Sequence, residues 1–203
     1  MKNQYGERSV RTVGRHLTYR QYRDIDLTLF VVILCVTETL IVRAARVWFP
    51  DQLYTVSAVG AVTAIVLMRW GGFAAIHALL GGLVFSLASG GTAAQTLVYC
   101  VGNLFAMLAL IPRRLLGAER IRNDGFLSVV FGIATLLLMQ LGRAAAALAM
   151  GAAGALAFFT TDTLSLLFTG VIVWIARRLD GIFEDQKHYL LRINQAEEGK
   201  GGH

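Results

Sequence analysis

The sequence is poor in charged residues, in cysteines and in polar connecting segments. Charged residues make up 16% of the 203 positions and hydrophobic residues 56%, whereas a typical soluble domain carries about 25% charged residues. This composition excludes an ordinary soluble domain. The two cysteines, Cys35 and Cys100, both lie in apolar runs and form no CxxC pair, which excludes a disulfide framework and a zinc site.

Motifs for nucleotide hydrolysis and for the common hydrolases are also missing. The sequence contains no GxxxxGK(S/T) phosphate-binding loop, no HExxH and no GxSxG. We therefore do not expect an enzyme, a metal site or a bound cofactor. If the chain takes part in active transport, a separate ATPase has to supply the energy.

Long apolar runs dominate what is present. Each is near the roughly 20 residues that cross a hydrocarbon layer, and lipid offers no hydrogen-bond partner to an open strand. The sequence predicts an all-α membrane protein with six transmembrane helices, at residues 27–47, 53–68, 72–88, 92–111, 126–150 and 157–176. Residues 1–26 form a basic N-terminal segment, 27–176 the membrane domain and 177–203 a C-terminal tail.

Lysine and arginine concentrate on one predicted side of the membrane. Of the 19 basic residues, only Arg43, Arg46 and Arg143 fall on the other side. By the positive-inside rule, both termini are predicted to be cytoplasmic, in a multi-pass protein of the cell membrane. The net charge of +6 then reflects orientation and contact with anionic lipid headgroups, not nucleic-acid binding. The first apolar run is too long for a cleaved signal, and we expect it to be retained.

Ionisable and amide side chains inside the predicted helices are costly in lipid and mark candidate function. Glu38 is predicted near mid-membrane, and the other such residues lie toward the outer side. We expect an externally open pocket for a small solute with an anionic group, which an arginine would pair. For each residue the alternative is an ion pair across a helix contact. The predicted substrate-binding residues are Glu38, Arg43, Tyr54, Gln95, Gln140, Arg143 and Asp162.

Two further polar residues, His77 and Asn103, are predicted on the inner side, apart from the outer group. A lone histidine in such a helix is usually a hydrogen-bonded packing residue. Small residues recur every four positions in the third predicted helix and would form a smooth ridge that packs against a helix of this chain or of another. This predicted docking ridge consists of Ala74, Ala78, Gly82 and Ser86.

Three segments carry a resemblance to a known family: RWGGFAAIHALLGGLVFSLASGG (69–91), GNLFAMLALIPRRL (102–115) and TTDTLSLLFTGVIVWIARRLDGIF (160–183). In layout and composition they resemble the substrate-binding S components of energy-coupling factor (ECF) transporters. In that family's last helix an acidic residue near the outer end precedes a long apolar run and a basic inner end, as Asp162, Arg177 and Arg178 do here.

The resemblance implies a membrane-embedded binder of a vitamin-like nutrient. Such a binder works with a transmembrane coupling protein and two cytosolic ATPases, and topples in the bilayer to deliver its ligand. The family's pocket faces outside and is built from the first loop and helices four to six. The resemblance implies a docking face with an AxxxA pair in the first helix, and no clear pair of this kind is present here. The ridge from Ala74 to Ser86 is therefore the predicted docking face.

Two other classes of function stay open. A non-transporting scaffold subunit resembling the rod-shape protein MreD would need packing surfaces but no solvated pocket. An intramembrane enzyme using His77 is poorly supported, because no nucleophile or second base lies at matching depth. Binding predicts that Arg143 and Asp162 face an enclosed cavity, whereas a scaffold predicts that they pair tightly with each other or face lipid headgroups.

Overall fold

The computed structural model describes residues 18–51, 56–152, 154–179 and 181–200. Over these ranges the regular structure is helical and no strand is present. The first five helices are α1 (Tyr19–Trp48), α2 (Val59–Trp70), α3 (Ala74–Ala88), α4 (Ala93–Asn103) and α5 (Leu110–Leu116). The other five are α6 (Ala118–Asn123), α7 (Gly125–Ala149), α8 (Ala157–Thr160), α9 (Thr163–Ala176) and α10 (Gln186–Lys200).

By length and composition alone, four helical runs are long and apolar enough to cross a membrane, namely Tyr19–Trp48, Val59–Ala88, Ala93–Leu116 and Gly125–Ala149. This confirms the predicted all-helical, membrane-compatible fold. Six separate crossings stay a prediction, since α2 spans only about 18 Å and α9 about 21 Å of a hydrocarbon layer about 30 Å thick.

The run from Val59 to Ala88 folds back on itself at Gly71. Gly71 has a φ of +62°, a left-handed conformation that glycine adopts without steric cost. The two arms then pack closely, and a Cβ atom on Gly81 would lie 2.9 Å from Val59 Cγ2. The polar break predicted between the second and third apolar stretches is therefore the turn of a helical hairpin.

Helix α2 forms the centre of the bundle. All 12 of its residues are buried, and it contacts α1, α3, α7 and α9. A helix that is apolar on every side is buried either in a protein core or in lipid, and here the neighbouring helices cover it. Helix α1 instead lies at the periphery and buries one stripe, formed by Leu27, Leu34, Glu38 and Val42.

Helix boundaries differ from the predicted stretches at three places. Helix α1 begins at Tyr19, before the apolar run, because Thr18 and Gln21 form a capping box there. The fourth helical run continues through Pro112 to Leu116. Residues Leu104–Ala109 before this proline are 3₁₀-helical, which fits the loss of a backbone donor at Pro112. The sixth predicted stretch breaks into α8 and α9 at Asp162.

One end of the bundle, the basic end, is held together by Arg69. Its guanidinium is buried and donates to both carboxylate oxygens of Asp26 on α1, at 2.8 and 3.0 Å. It also donates to the carbonyls of Gly181 and Ile182, at 2.9 and 2.6 Å. Trp70 Nε1 donates to the same carboxylate. Arg69, predicted only as an orienting charge, thus ties α1 and α2 to the segment that leads into α10.

Candidate functional site

The opposite end of the bundle, the polar end, collects buried polar side chains from several helices. Glu38 on α1 is fully buried, and its Oε2 accepts the Ala58 N–H at the start of α2, at 2.8 Å. The neighbouring Ser57 N–H donates to Ser165 Oγ on α9, at 3.1 Å. The first helix, the hairpin and the last apolar helix therefore meet at the start of α2, where backbone donors lack helical partners.

Arg143 on α7 lies at the centre of this cluster. Its Nη1 donates to Asp162 Oδ2 at 2.5 Å and its Nε to Asn103 Oδ1 at 2.7 Å. The guanidinium carbon lies 5.1 Å from the centre of the Tyr99 ring. Arg143 is 3% exposed and Asp162 4%, so the two form a buried, hydrogen-bonded ion pair.

Further hydrogen bonds made by Asn103 and Asp162 connect Arg143 to other helices of the bundle. Asn103 Nδ2 donates to the Ala78 carbonyl on α3 at 3.0 Å, and Ser165 Oγ donates to Asp162 Oδ1 at 3.2 Å. With the Ser57 contact, one chain of hydrogen bonds connects α3, α4, α7, α9 and the start of α2. Such a network fixes the relative positions of the helices that contribute to it.

Two glycines explain how Asn103 reaches Arg143. Gly102 and Gly142 face each other where α4 crosses α7, and a Cβ on Gly102 would lie only 2.6 Å from the Arg143 backbone nitrogen. Small residues let helix backbones approach closely in membranes. The prediction that Asn103 lies apart from the outer group is therefore wrong, because the crossing brings it level with Arg143.

Two acceptor atoms in the cluster have no donor. Glu38 Oε1 and Gln140 Oε1 are buried and lack a hydrogen-bond partner in the described part of the chain. Gln140 Nε2 donates to the Asp162 carbonyl oxygen at 3.4 Å. Deeper in the bundle, the buried hydroxyl oxygens of Thr63 and Thr169 are also without a partner there. These oxygen atoms can accept hydrogen bonds from N–H or O–H groups.

The other predicted binding residues lie elsewhere. Arg43 is exposed on α1. Gln95 is exposed and caps α4, since its Oε1 accepts the Thr92 N–H at 2.8 Å. Tyr54 lies outside the described residues. Of the predicted set, the structure brings together Glu38, Gln140, Arg143 and Asp162, and it adds Asn103, Tyr99, Ser57 and Ser165.

The predicted docking ridge is covered within the chain. Ala74, Ala78 and Ser86 are fully buried, and a Cβ on Gly82 would lie 2.7 Å from the Tyr99 backbone of α4. The ridge therefore packs against a helix of this chain, which the sequence left as one of two options. A partner protein would have to displace α4 to reach it.

His77 is buried, and its Nε2 lies 3.2 Å from the Leu27 carbonyl on α1, as expected for a hydrogen-bonded packing residue.

Within the ranges that the structure describes, no three His, Cys, Asp or Glu side chains lie together as possible metal ligands. The contacts that the described residues make at the polar end are an ion pair and hydrogen bonds. In comparisons with known proteins, the chain matches no protein-family model, no curated protein and no solved structure.

Proposed function

We propose that this chain is a membrane-embedded substrate-binding subunit of an ECF-type importer and captures a small, vitamin-like nutrient at its polar end. The observation that carries the proposal is the pair of buried acceptors, Glu38 Oε1 and Gln140 Oε1, which have no hydrogen-bond partner among the described residues of the cluster. An unpaired buried polar atom costs about 1–3 kcal/mol. A ligand that supplies donors at this place would remove that cost.

The geometry favours a ligand with N–H or O–H donors over one held mainly through an anionic group. The guanidinium of Arg143 is already engaged by Asp162 and Asn103, so an anion would have to compete with a buried carboxylate. At Glu38 Oε1 and Gln140 Oε1 a ligand donor would displace no hydrogen-bond partner from the described part of the chain. We therefore propose that the two acceptors select the ligand and that Arg143 holds the cluster in place.

Transport by this chain would depend on partners. Because its sequence contains no phosphate-binding loop, a transmembrane coupling protein and two cytosolic ATPases would supply the energy, as the resemblance to S components implies. The covered ridge on α3 means that the coupling protein would contact another face of the bundle.

A scaffold subunit of the MreD kind is the second candidate, and one observation favours it. Arg143 and Asp162 pair tightly with each other, which is the arrangement expected where polar groups join helices. In this case the cluster serves packing alone, and water satisfies Glu38 and Gln140.

The two candidates are separated by the small molecules that the purified protein retains. Binding predicts that mass spectrometry detects a retained solute, that Gln140→Leu lowers its amount at least about tenfold, and that ATPase subunits co-purify. Gln95→Leu is the matched control, since this glutamine is exposed at the same end and caps α4. Retention of no solute, or equal retention in both variants with unchanged melting temperatures, would reject the binding proposal.

A further inference from the structure

A groove runs along the outside of the bundle between α7 and α9. It has a volume of about 310 Å³ and is lined by apolar side chains, among them Val129, Ile133, Leu166 and Trp174. Gly170 forms part of its wall, and a Cβ at that position would lie 3.6 Å from both Val129 and Ile133. The groove therefore exists partly because α9 carries no side chain at this place.

The groove continues into a second recess at the basic end. This recess has a volume of about 250 Å³ and is lined by Gly125, Trp174, Arg177 and Arg178. Trp174 belongs to both linings. The surface between α7 and α9 thus changes from purely apolar to cationic along its length.

Neither arginine of the recess has an ion-pair partner among the described residues. Arg177 Nη2 donates to the Asn123 carbonyl at 2.9 Å, and the Arg178 guanidinium lies 5.9 Å from the Trp174 ring centre. Over the described ranges, no carboxylate lies within ion-pair distance of either guanidinium. The nearby Asp124 accepts the Leu127 N–H at 3.1 Å as the N-cap of α7.

We infer that this groove and recess bind one anionic phospholipid of the leaflet at the basic end. An acyl chain occupies the apolar groove, and the phosphate lies between Arg177 and Arg178. Arginine forms strong, charge-assisted hydrogen bonds to phosphate, and basic pockets between membrane helices bind anionic headgroups. A zwitterionic lipid has the same phosphate, but its ammonium group cancels the attraction. This site is independent of the proposed solute at the polar end.

The test uses the whole protein in nanodiscs made of equal parts phosphatidylglycerol and phosphatidylcholine, followed by native mass spectrometry of the lipids that stay bound. We expect wild-type protein to retain phosphatidylglycerol in preference to phosphatidylcholine. Arg178→Gln should lower that retention about fivefold, the value for roughly 1 kcal/mol per basic residue near a membrane surface. Gly170→Leu, which fills the groove, should lower it as well.

Arg114→Gln is the matched control, because this arginine is exposed and lies outside the groove. Equal loss in the control and in Arg178→Gln would show general attraction to an anionic surface and overturn the site. Equal retention of the two lipids by wild-type protein, or unchanged retention in Arg178→Gln, would overturn it too. The Arg178 side chain makes no hydrogen bond to the described part of the chain and contacts the Trp174 ring, so its substitution should leave the melting temperature unchanged.

Discussion

The buried pair of Arg143 and Asp162 makes each residue dependent on the other. If the guanidinium is removed, the buried carboxylate loses this counter-ion. Breaking a buried ion pair from one side costs about 3–5 kcal/mol, whereas replacing both charges with apolar side chains is often close to neutral.

We therefore expect Arg143→Met to lower the free energy of unfolding by about 3–5 kcal/mol. The double variant with Asp162→Leu should recover more than half of that loss, because no charge is then left unpaired. Unfolding in mixed detergent micelles measures both values. If the double variant loses the sum of the two single effects, the pair is not coupled.

At the scale of single residues, the sequence identifies polar side chains in apolar surroundings but not their partners. Glu38, Gln140, Arg143 and Asp162 stand out because charge and amide groups are rare in membrane helices. Asn103 is predicted too far inside, because depth counted along a single apolar stretch ignores how two helices cross. Its contact with Arg143 depends on the crossing at Gly102, which neither helix reveals alone.

At the scale of elements, Arg69 joins three parts of the chain through one side chain. Its side chain is 3% exposed and that of Asp26 12%, so loss of the guanidinium leaves a largely buried acid unpaired. It also removes the arginine donor from the Gly181 and Ile182 carbonyls, of which Gly181 keeps the Gln186 amide at 3.3 Å.

Arg69→Met should lower the free energy of unfolding by about 3–5 kcal/mol and release α10 from the bundle. Limited proteolysis near Gly181 reports the release, and micelle unfolding reports the stability. Arg114→Met, at an exposed position of the basic end, should change neither. If cleavage near Gly181 is no faster in Arg69→Met than in the wild-type protein, other contacts hold α10.

The start of α10 provides a prediction about pH. Burial alone would raise the pKa of Asp185, but the N–H groups of His188 and Lys187 and the Arg122 guanidinium outweigh it and lower the pKa. A lowered folded-state pKa means that the contact stabilises the fold above the ordinary aspartate pKa of 3.8. That stability is lost as the pH falls below this value.

Hydrogen exchange in α10 should therefore become faster when the pH falls from neutral through 4, after correction for the intrinsic exchange rate. In Asp185→Asn the first turn of α10 should exchange faster at neutral pH, and the additional acid effect should be absent. An acid effect of equal size in wild type and Asp185→Asn would assign it to another group.

Helix positions were predictable from apolar runs, but helix ends were not. The capping residues Thr18 and Gln21 extend α1 into a charged region where hydropathy gives no signal. Pro112 suggested the end of a helix, yet the preceding 3₁₀ turns allow the run to continue to Leu116. Local backbone geometry, not hydropathy, determines these boundaries.

At the scale of the whole molecule, basic residues gather at the end of the bundle that contains Arg69 and Arg177, and the polar cluster lies at the other end. We predict that the basic end is cytoplasmic. In a variant with Cys35 and Cys100 replaced by serine, a membrane-impermeant thiol reagent on intact cells should label Ser89→Cys and not Arg114→Cys. Labelling of Arg114→Cys alone would reverse the orientation.

The sequence also predicts the fold class, since continuous apolar stretches in lipid must be helical. It could not show how α2 is used. By composition α2 resembles any short membrane helix, but its complete burial depends on neighbours from distant parts of the chain.

The central position of α2 has a consequence for biosynthesis. Ribosomes make this helix well before α7 and α9, against which two of its sides rest. Before the segment that contains Asp162 and α9 is synthesised, Ser57 lacks its contact with Ser165 and Arg143 lacks its contact with Asp162. The bundle can therefore complete its packing only after α9 has been inserted. A nascent chain arrested before α9 exposes polar groups without partners to hydrocarbon.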